Sequence, residues 1–255
     1  MKAVIMAGGK GTRLRPLTCK LPKPMVPVAC RPMMEHVVHL LLAHGFRDLA
    51  CTLCYMPDTI QSHFGDGTSL GCSIRYSVEE TPLGTAGSVR ALGGFLDDTF
   101  LVISGDALTD IDLASAVEFH KQKGAAATIV LTRVETPLEY GVVIVDGDCR
   151  ITRFLEKPSW GEVFSDTVNT GIYVLEPDVM ELVEASREFD FSKNLFPRLL
   201  ADGHPMFGYV AEGYWCDVGN LEQYRNTHLD ILDGRVRVAI PGELVDEGVW
   251  IGEGA

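Results

Sequence analysis

The chain has 255 residues, 46% of them hydrophobic and 22% charged, and a formal net charge of -13 with pI near 4.9. Its length is enough to bury a sizeable core in one large or two small domains, and its acidity excludes the broad basic face that duplex nucleic acid or an anionic membrane requires. No stretch approaches the about 20 apolar residues of a bilayer span, no long apolar secretory signal opens the chain, and the seven scattered cysteines suit a reducing compartment, so a cytoplasmic location is expected.

Apolar runs alternate with helical patterns through the first half. Strands are predicted at "AVIMA" (3–7), "LACTLCY" (49–55), "SIRYSV" (73–78), "FLVISG" (100–105) and "ATIVLTRV" (127–134). Helices are predicted over 32–45, 58–65, 85–94 and 112–124, the last with Asp112 as N-cap and Gly124 as its stop. This order predicts an α/β fold with a doubly wound, mostly parallel sheet covered on both faces. The second half is richer in strands. "YGVVIVDG" and "CRITRFLEKP" read as a hairpin turning through Asp146, Gly147 and Asp148, and "VNTGIYVLEP" as a further strand. Helices follow at 177–185 and at 190–203, the latter despite Pro197; "MFGYVAEGYWCDVGN" reads as a strand pair, and a last helix covers about 220–233. No Pro/Gly/Ser-rich linker divides the halves. One catalytic unit is therefore expected over 1–233. Residues 234–255 are expected to be a linker and, in "GVWIGEGA", the first hexapeptide turn of a left-handed β-helix cut from a longer chain.

Charge is segregated. Residues 1–34 contain seven Lys/Arg and no acid, leaving 15 basic and all 35 acidic residues for the remainder. Most of these cations lie in "AGGKGTRLRPLTCKLPKP" (7–24), directly after the first strand. Gly8, Gly9 and Gly11 let the backbone turn sharply and aim amides at a ligand. The loop is neither a P-loop, since G-x-x-x-x-G-K-[ST] is absent, nor a dinucleotide fingerprint, since position 14 is leucine. Thr12, Arg13, Arg15, Lys20 and Lys23 add donors and charge suited to a triphosphate. A solvated basic patch is the plain alternative.

Among the acids, Asp106 follows the run "FLVIS" and Gly105, which puts it at a strand's carboxyl end, where open α/β sheets bind ligands. Asp217 ends the aromatic run "GYWCD". Asp110 and Asp112 read as turn and cap residues. Cys51 and Cys54 sit an odd offset apart in a strand and face opposite ways, which argues against a metal site. His36, His39 and His44 read as ordinary helix-surface histidines, and Trp215 as core or wall packing.

The 7–33 stretch resembles the signature of the sugar-1-phosphate nucleotidylyltransferases, and the resemblance continues through "EETPLGTAGSV", "ISGDALTD", "YGVVIVD", "RFLEKP", "VNTGIYVLEP" and "GYWCDVGN". Within that family, "PLGTAG" with the trailing "IGEGA" is most similar to the mannose-1-phosphate guanylyltransferases. The resemblance implies transfer of a nucleotidyl group from an NTP to a sugar 1-phosphate with release of pyrophosphate. It implies Mg2+ held by Asp106 and Asp217, and a nucleotide bound by Ala7, Gly8, Gly9, Gly11, Thr12 and Arg13 together with Glu80, Pro82, Gly84 and Thr85. Arg13, Lys23 and Asp106 are the expected catalytic residues. Gly141, Glu156, Lys157, Asn169 and Thr170 are expected around the sugar phosphate. GTP with mannose 1-phosphate is the expected pair; glucose 1-phosphate with dTTP or UTP, a heptose 1-phosphate with GTP, and a catalytically silent nucleotide-sugar-binding regulator remain open. A homo-oligomer is expected, without nucleic-acid or membrane partners.

Overall fold

The protein is described by a computed structural model covering residues 1–252 except 160, 162, 164 and 186. In chain order the elements are β1 (Lys2–Met6), β2 (Pro27–Val28), β3 (Arg31–Pro32), α1 (Met33–Ala43), β4 (Asp48–Leu53), α2 (Pro57–Phe64), β5 (Ser73–Val78) and α3 (Gly84–Arg90). Then come β6 (Phe100–Ser104), β7 (Ala107–Thr109), α4 (Leu113–Lys123), β8 (Ala127–Arg133), β9 (Gly141–Val145), β10 (Ile151–Glu156) and β11 (Thr167–Leu175). The remainder is α5 (Phe196–Ala201), β12 (Met206–Val210), β13 (Trp215–Asp217), α6 (Leu221–Leu232), β14 (Glu243–Asp246) and β15 (Val249–Ile251).

Nine strands form one sheet. β6, β1, β4 and β5 are parallel neighbours. Period-2 alternation sorts their side chains: Ala3 and Ile5 of β1 face one layer with Val37, Leu41 and Ile60, while Val4 faces the other with Ala86, Val89 and Phe196. Helices therefore cover both faces, as the alternating pattern requires. The far half is mixed. β11 runs antiparallel to β6, β8 and β9, β10 is antiparallel to β9, and β12 returns parallel to β8. The carboxyl edge of the parallel half thus meets a block of antiparallel strands.

Several local expectations change. The helix over 177–185 is a 3-10 turn, Pro177–Leu182. Residues 190–203 begin as a π-turn, Phe191–Leu195, and Pro197 sits at the start of α5, where its missing N–H costs nothing. β12 and β13 are not a pair: β12 lies in the main sheet and β13 pairs with β7. The gap from β13 back to its partner exceeds a hundred residues, beyond the reach of a local pattern. His36 is buried, not on the surface, and its Nε2 lies 2.8 Å from the carbonyl of Val28. At the C-terminal end β14 and β15 form an antiparallel hairpin, and Val236, Val238 and Ile240 pack with Leu108 and Ile231 of the preceding unit. The final Glu253, Gly254 and Ala255 of the expected β-helix turn lie outside the described residues. No helix among the described residues is long and apolar enough to cross a membrane.

Candidate active site

A cavity of about 350 Å³ opens at the carboxyl edge of β1, β4 and β6. Ala7, Gly8, Gly9 and Lys10 line it from the loop after β1, Thr52 and Cys54 from the end of β4, and Ser104 and Asp106 from the end of β6. The loop is pinned to its neighbours by backbone bonds, Ala7 N–H to Thr52 at 2.9 Å and Gly105 N–H to Met6 at 2.9 Å. Gly11 is left-handed (φ 62°), and a Cβ there would lie 2.7 Å from the Cβ of Lys23, so glycine is needed for the loop to fold onto the lysine stem.

Lys23 is the centre of the arrangement. Its side chain is only 7% exposed, and its Nζ lies 2.7 Å from Asp106 Oδ2 and 2.8 Å from Asp217 Oδ1. Burial works against the ammonium, but the charges and hydrogen bonds of the two carboxylates outweigh it and raise its pKa. Burial likewise opposes the Asp106 carboxylate, yet Lys23 and the Ser104 hydroxyl, which donates to Oδ1, hold its pKa below the ordinary value. A buried ammonium costs several kcal/mol when unpaired; here it sits between two acids. One cation against two carboxylates leaves the cluster one charge negative. Both carboxylates meet on the Lys23 ammonium, and such a pair of acids beside a cavity fits an oxygen-preferring divalent ion such as Mg2+ that also takes phosphate oxygens. Arg13 stands beside them: a Cβ on Gly219 would lie 3.2 Å from its Nη2 and 3.3 Å from Asp217 Oδ2.

Glu79 joins the lining of the cavity, whereas Glu80 is exposed and outside it. The Leu83 amide donates to Glu79 Oε2 at 2.9 Å, which turns the chain back after β5 and selects the first of the two acids. Burial pushes the Glu79 carboxyl above its ordinary pKa, with the Leu83 amide partly offsetting it. Pro82, Gly84 and Thr85 also line the cavity. The close approach that requires Gly84 (φ 73°) is to the backbone of Phe189, whose carbonyl would lie 2.7 Å from an added Cβ. Thr85 Oγ1 donates to Asp190 Oδ1 and accepts the Phe191 amide, each at 3.0 Å. Thr12 is exposed on the 3-10 turn that follows Gly11 and does not line the cavity.

The antiparallel block brings the second group of residues alongside. Gly141 pairs with Glu156 across β9 and β10, and a Cβ at 141 would meet Glu156 Oε2 at 2.9 Å. Lys157 follows in a left-handed conformation (φ 46°) that is costly for a lysine, with its amide bonded to the Tyr140 carbonyl at 3.1 Å. The Tyr140 ring meets Trp215 edge-on at 5.3 Å, two residues before Asp217. Asn169 Oδ1 accepts the Gly171 amide at 2.9 Å, and Gly171 closes on Ser104, the partner of Asp106. Thr170 is buried with its hydroxyl committed to the Val130 carbonyl; its own carbonyl accepts from Trp215 Nε1 at 3.0 Å.

Glu79, Lys10, Ser104 and Asp190 line the cavity without having stood out in the sequence, and Cys54, singled out there only as an improbable metal ligand, lines it too. Among the described residues no cluster of three or more His, Cys, Asp or Glu has the form of an all-protein metal centre.

The Nucleotidyl transferase family profile matches residues 2–234. The chain is 39% identical to the UTP--glucose-1-phosphate uridylyltransferase of Synechocystis, over 99% of this chain and 69% of the relative. It is 38% identical to the mannose-1-phosphate guanylyltransferase of Mycobacterium tuberculosis, over 99% and 72%. A Bacillus anthracis crystal structure in complex with a sucrose, described provisionally as a glucose-1-phosphate thymidylyltransferase, superposes with TM-score 0.81 at 27% identity, covering 90% of this chain and 94% of that one.

Proposed function

The chain belongs to the nucleotidyl transferase family, and from that premise we propose that it transfers GMP from GTP to mannose 1-phosphate, yielding GDP-mannose and pyrophosphate with Mg2+. The class, a sugar-1-phosphate nucleotidyltransferase, follows from the family; the substrate pair is the proposal. The observation that carries it is that Asp106, on the lining of a glycine-walled cavity, and Asp217 converge on the Lys23 ammonium.

Two polyanions must meet, so the barrier is mainly electrostatic. The sugar phosphate, with a second pKa of about 6, is mostly dianionic at neutral pH and needs no general base. One of its oxygens attacks the α-phosphorus in line; a new P–O bond forms as the bond to the β-phosphate bridging oxygen breaks, and the electron pair leaves with pyrophosphate. Asp106 and Asp217 would hold Mg2+, which supplies charge neutralisation at the reacting phosphate. Lys23 and Arg13 receive the departing pyrophosphate charge, and amides of Gly8, Gly9 and Gly11 wrap the triphosphate. Lys157 meets the sugar phosphate, and Glu156 and Asn169 take sugar hydroxyls.

Guanine is favoured by Glu79. Its carboxylate can accept from both N1–H and N2–H of guanine, whereas a uracil or thymine N3–H offers one donor flanked by carbonyls that repel the second oxygen. The Synechocystis and B. anthracis similarities support the other reading, glucose 1-phosphate with UTP or dTTP. A panel of four NTPs against mannose, glucose and heptose 1-phosphates, read by pyrophosphate release, tests the choice. GTP with mannose 1-phosphate should have the highest kcat/KM; a higher value for another pair contradicts the assignment, and binding without turnover contradicts the enzyme.

A further inference from the structure

Asp110 takes no part in the chemistry above, yet its side chain is 7% exposed, against 26% and 29% for Asp106 and Asp217. It is fully engaged. Oδ1 accepts the Tyr214 amide at 2.7 Å, and the Asp110 amide returns a bond to the Tyr214 carbonyl at 3.2 Å. Oδ2 accepts the Arg237 amide at 3.0 Å and its Nε at 3.2 Å. Gly213 (φ 115°) lets the chain pass, since a Cβ there would lie 2.8 Å from Asp110 Oδ1. On the other side of Tyr214, its hydroxyl donates to Asp230 Oδ2 at 2.8 Å, and Asp230 Oδ1 accepts from Arg235 at 2.9 Å. Two acids therefore each grip Tyr214 and one arginine of the segment after α6.

Tyr214 immediately precedes β13, whose ladder with β7 has only three pairs: Trp215 with Thr109, Cys216 with Leu108, and Asp217 with Ala107. That register sets Asp217 opposite the residue after Asp106. So short a ladder is marginal alone, and a slip of one residue would turn Asp217 to the opposite face. We propose that Asp110 is a positioning residue that holds the β7–β13 register, and with it the spacing of Asp106 and Asp217, and that Arg237 completes the device. Arg237 lies beyond residues 2–234 matched by the family profile, so the segment after that match is coupled to the cation-facing carboxylates. The proposal rests on reading Asp106 and Asp217 as ligands of a divalent ion.

The test compares Asp110→Ala, Asp110→Asn and Arg237→Ala with the wild type. Mn2+ binding without nucleotide is measured by electron paramagnetic resonance, amide exchange is followed at residues 215–217, and KM for sugar phosphate is determined. Asp110→Ala should weaken Mn2+ binding about tenfold, the low end of what losing a group bonded directly to a metal ligand costs, because Asp110 acts through Tyr214. Exchange at 215–217 should accelerate while KM for sugar phosphate holds. Asp110→Asn keeps an oxygen for the Tyr214 amide and should recover most of the loss; Arg237→Ala should fall between. Unchanged Mn2+ affinity and exchange in Asp110→Ala would overturn the proposal. Should that variant not fold, unchanged values in both Asp110→Asn and Arg237→Ala overturn it equally. Asp106→Asn separates the two readings: if it binds Mn2+ as tightly as wild type, the ligand assignment itself fails; if it loses Mn2+ while Asp110→Ala does not, only the positioning role fails.

Discussion

Asp106 combines three influences that few surface acids have together: a strand end that fixes its backbone, a hydroxyl from Ser104, and an ammonium at 2.7 Å. Replacing it with asparagine keeps the shape and removes the charge. Pyrophosphate release by Asp106→Asn should fall by roughly 100-fold or more, since even outer partners of a metal ligand are worth about 10–100-fold. Circular dichroism should show the fold intact; near-normal turnover would remove Asp106 from the chemistry. The placement of Asp106 and Asp217 at strand ends is legible in the sequence because each ends a strand-like run. The choice between Glu79 and Glu80 was not, because it depends on the amide of Leu83 folding back onto one of two adjacent identical residues. Asp110 reads from the sequence as a turn acid, and its long-range partners are not legible there. Its partners, Tyr214 and Arg237, lie more than a hundred residues away, where no spacing rule reaches.

Among the elements, α3 and the loop before it hold the cavity's far wall by backbone contact with Phe189. Ala86 and Gly87 both donate to the Phe189 carbonyl at 2.9 Å, and Gly84 leaves no room for a side chain. Gly84→Ala should therefore destabilise the protein by about 1–3 kcal/mol, combining left-handed strain with a backbone clash. Gly9→Ala, which meets nothing within 4 Å, should stay within about 0.5 kcal/mol. Urea unfolding measures both, and equal midpoints would contradict the packing account. The parallel half was readable from alternating periods, with strands at 2–6, 48–53, 73–78 and 100–104 close to their expected positions. The direction of β11 was not, because a buried strand has the same apolar pattern whichever way it runs.

At the scale of the whole molecule, the two halves of the sheet divide the labour in space. The parallel half carries the glycine loop and the carboxyl edge; the antiparallel half carries Gly141, Glu156 and Asn169, which the proposed function gives to the sugar phosphate. They meet where Gly171 closes on Ser104. A net charge of -13 repels both substrates at long range, and the acid-free first 34 residues counter that locally. On the proposed function, the triphosphate binds where these two halves meet. Crystals grown with a non-hydrolysable GTP analogue, mannose 1-phosphate and Mn2+ test it directly. The account predicts an anomalous peak between Asp106 and Asp217 and a triphosphate against Arg13 and Lys23; a phosphate tail lying away from both residues would contradict it.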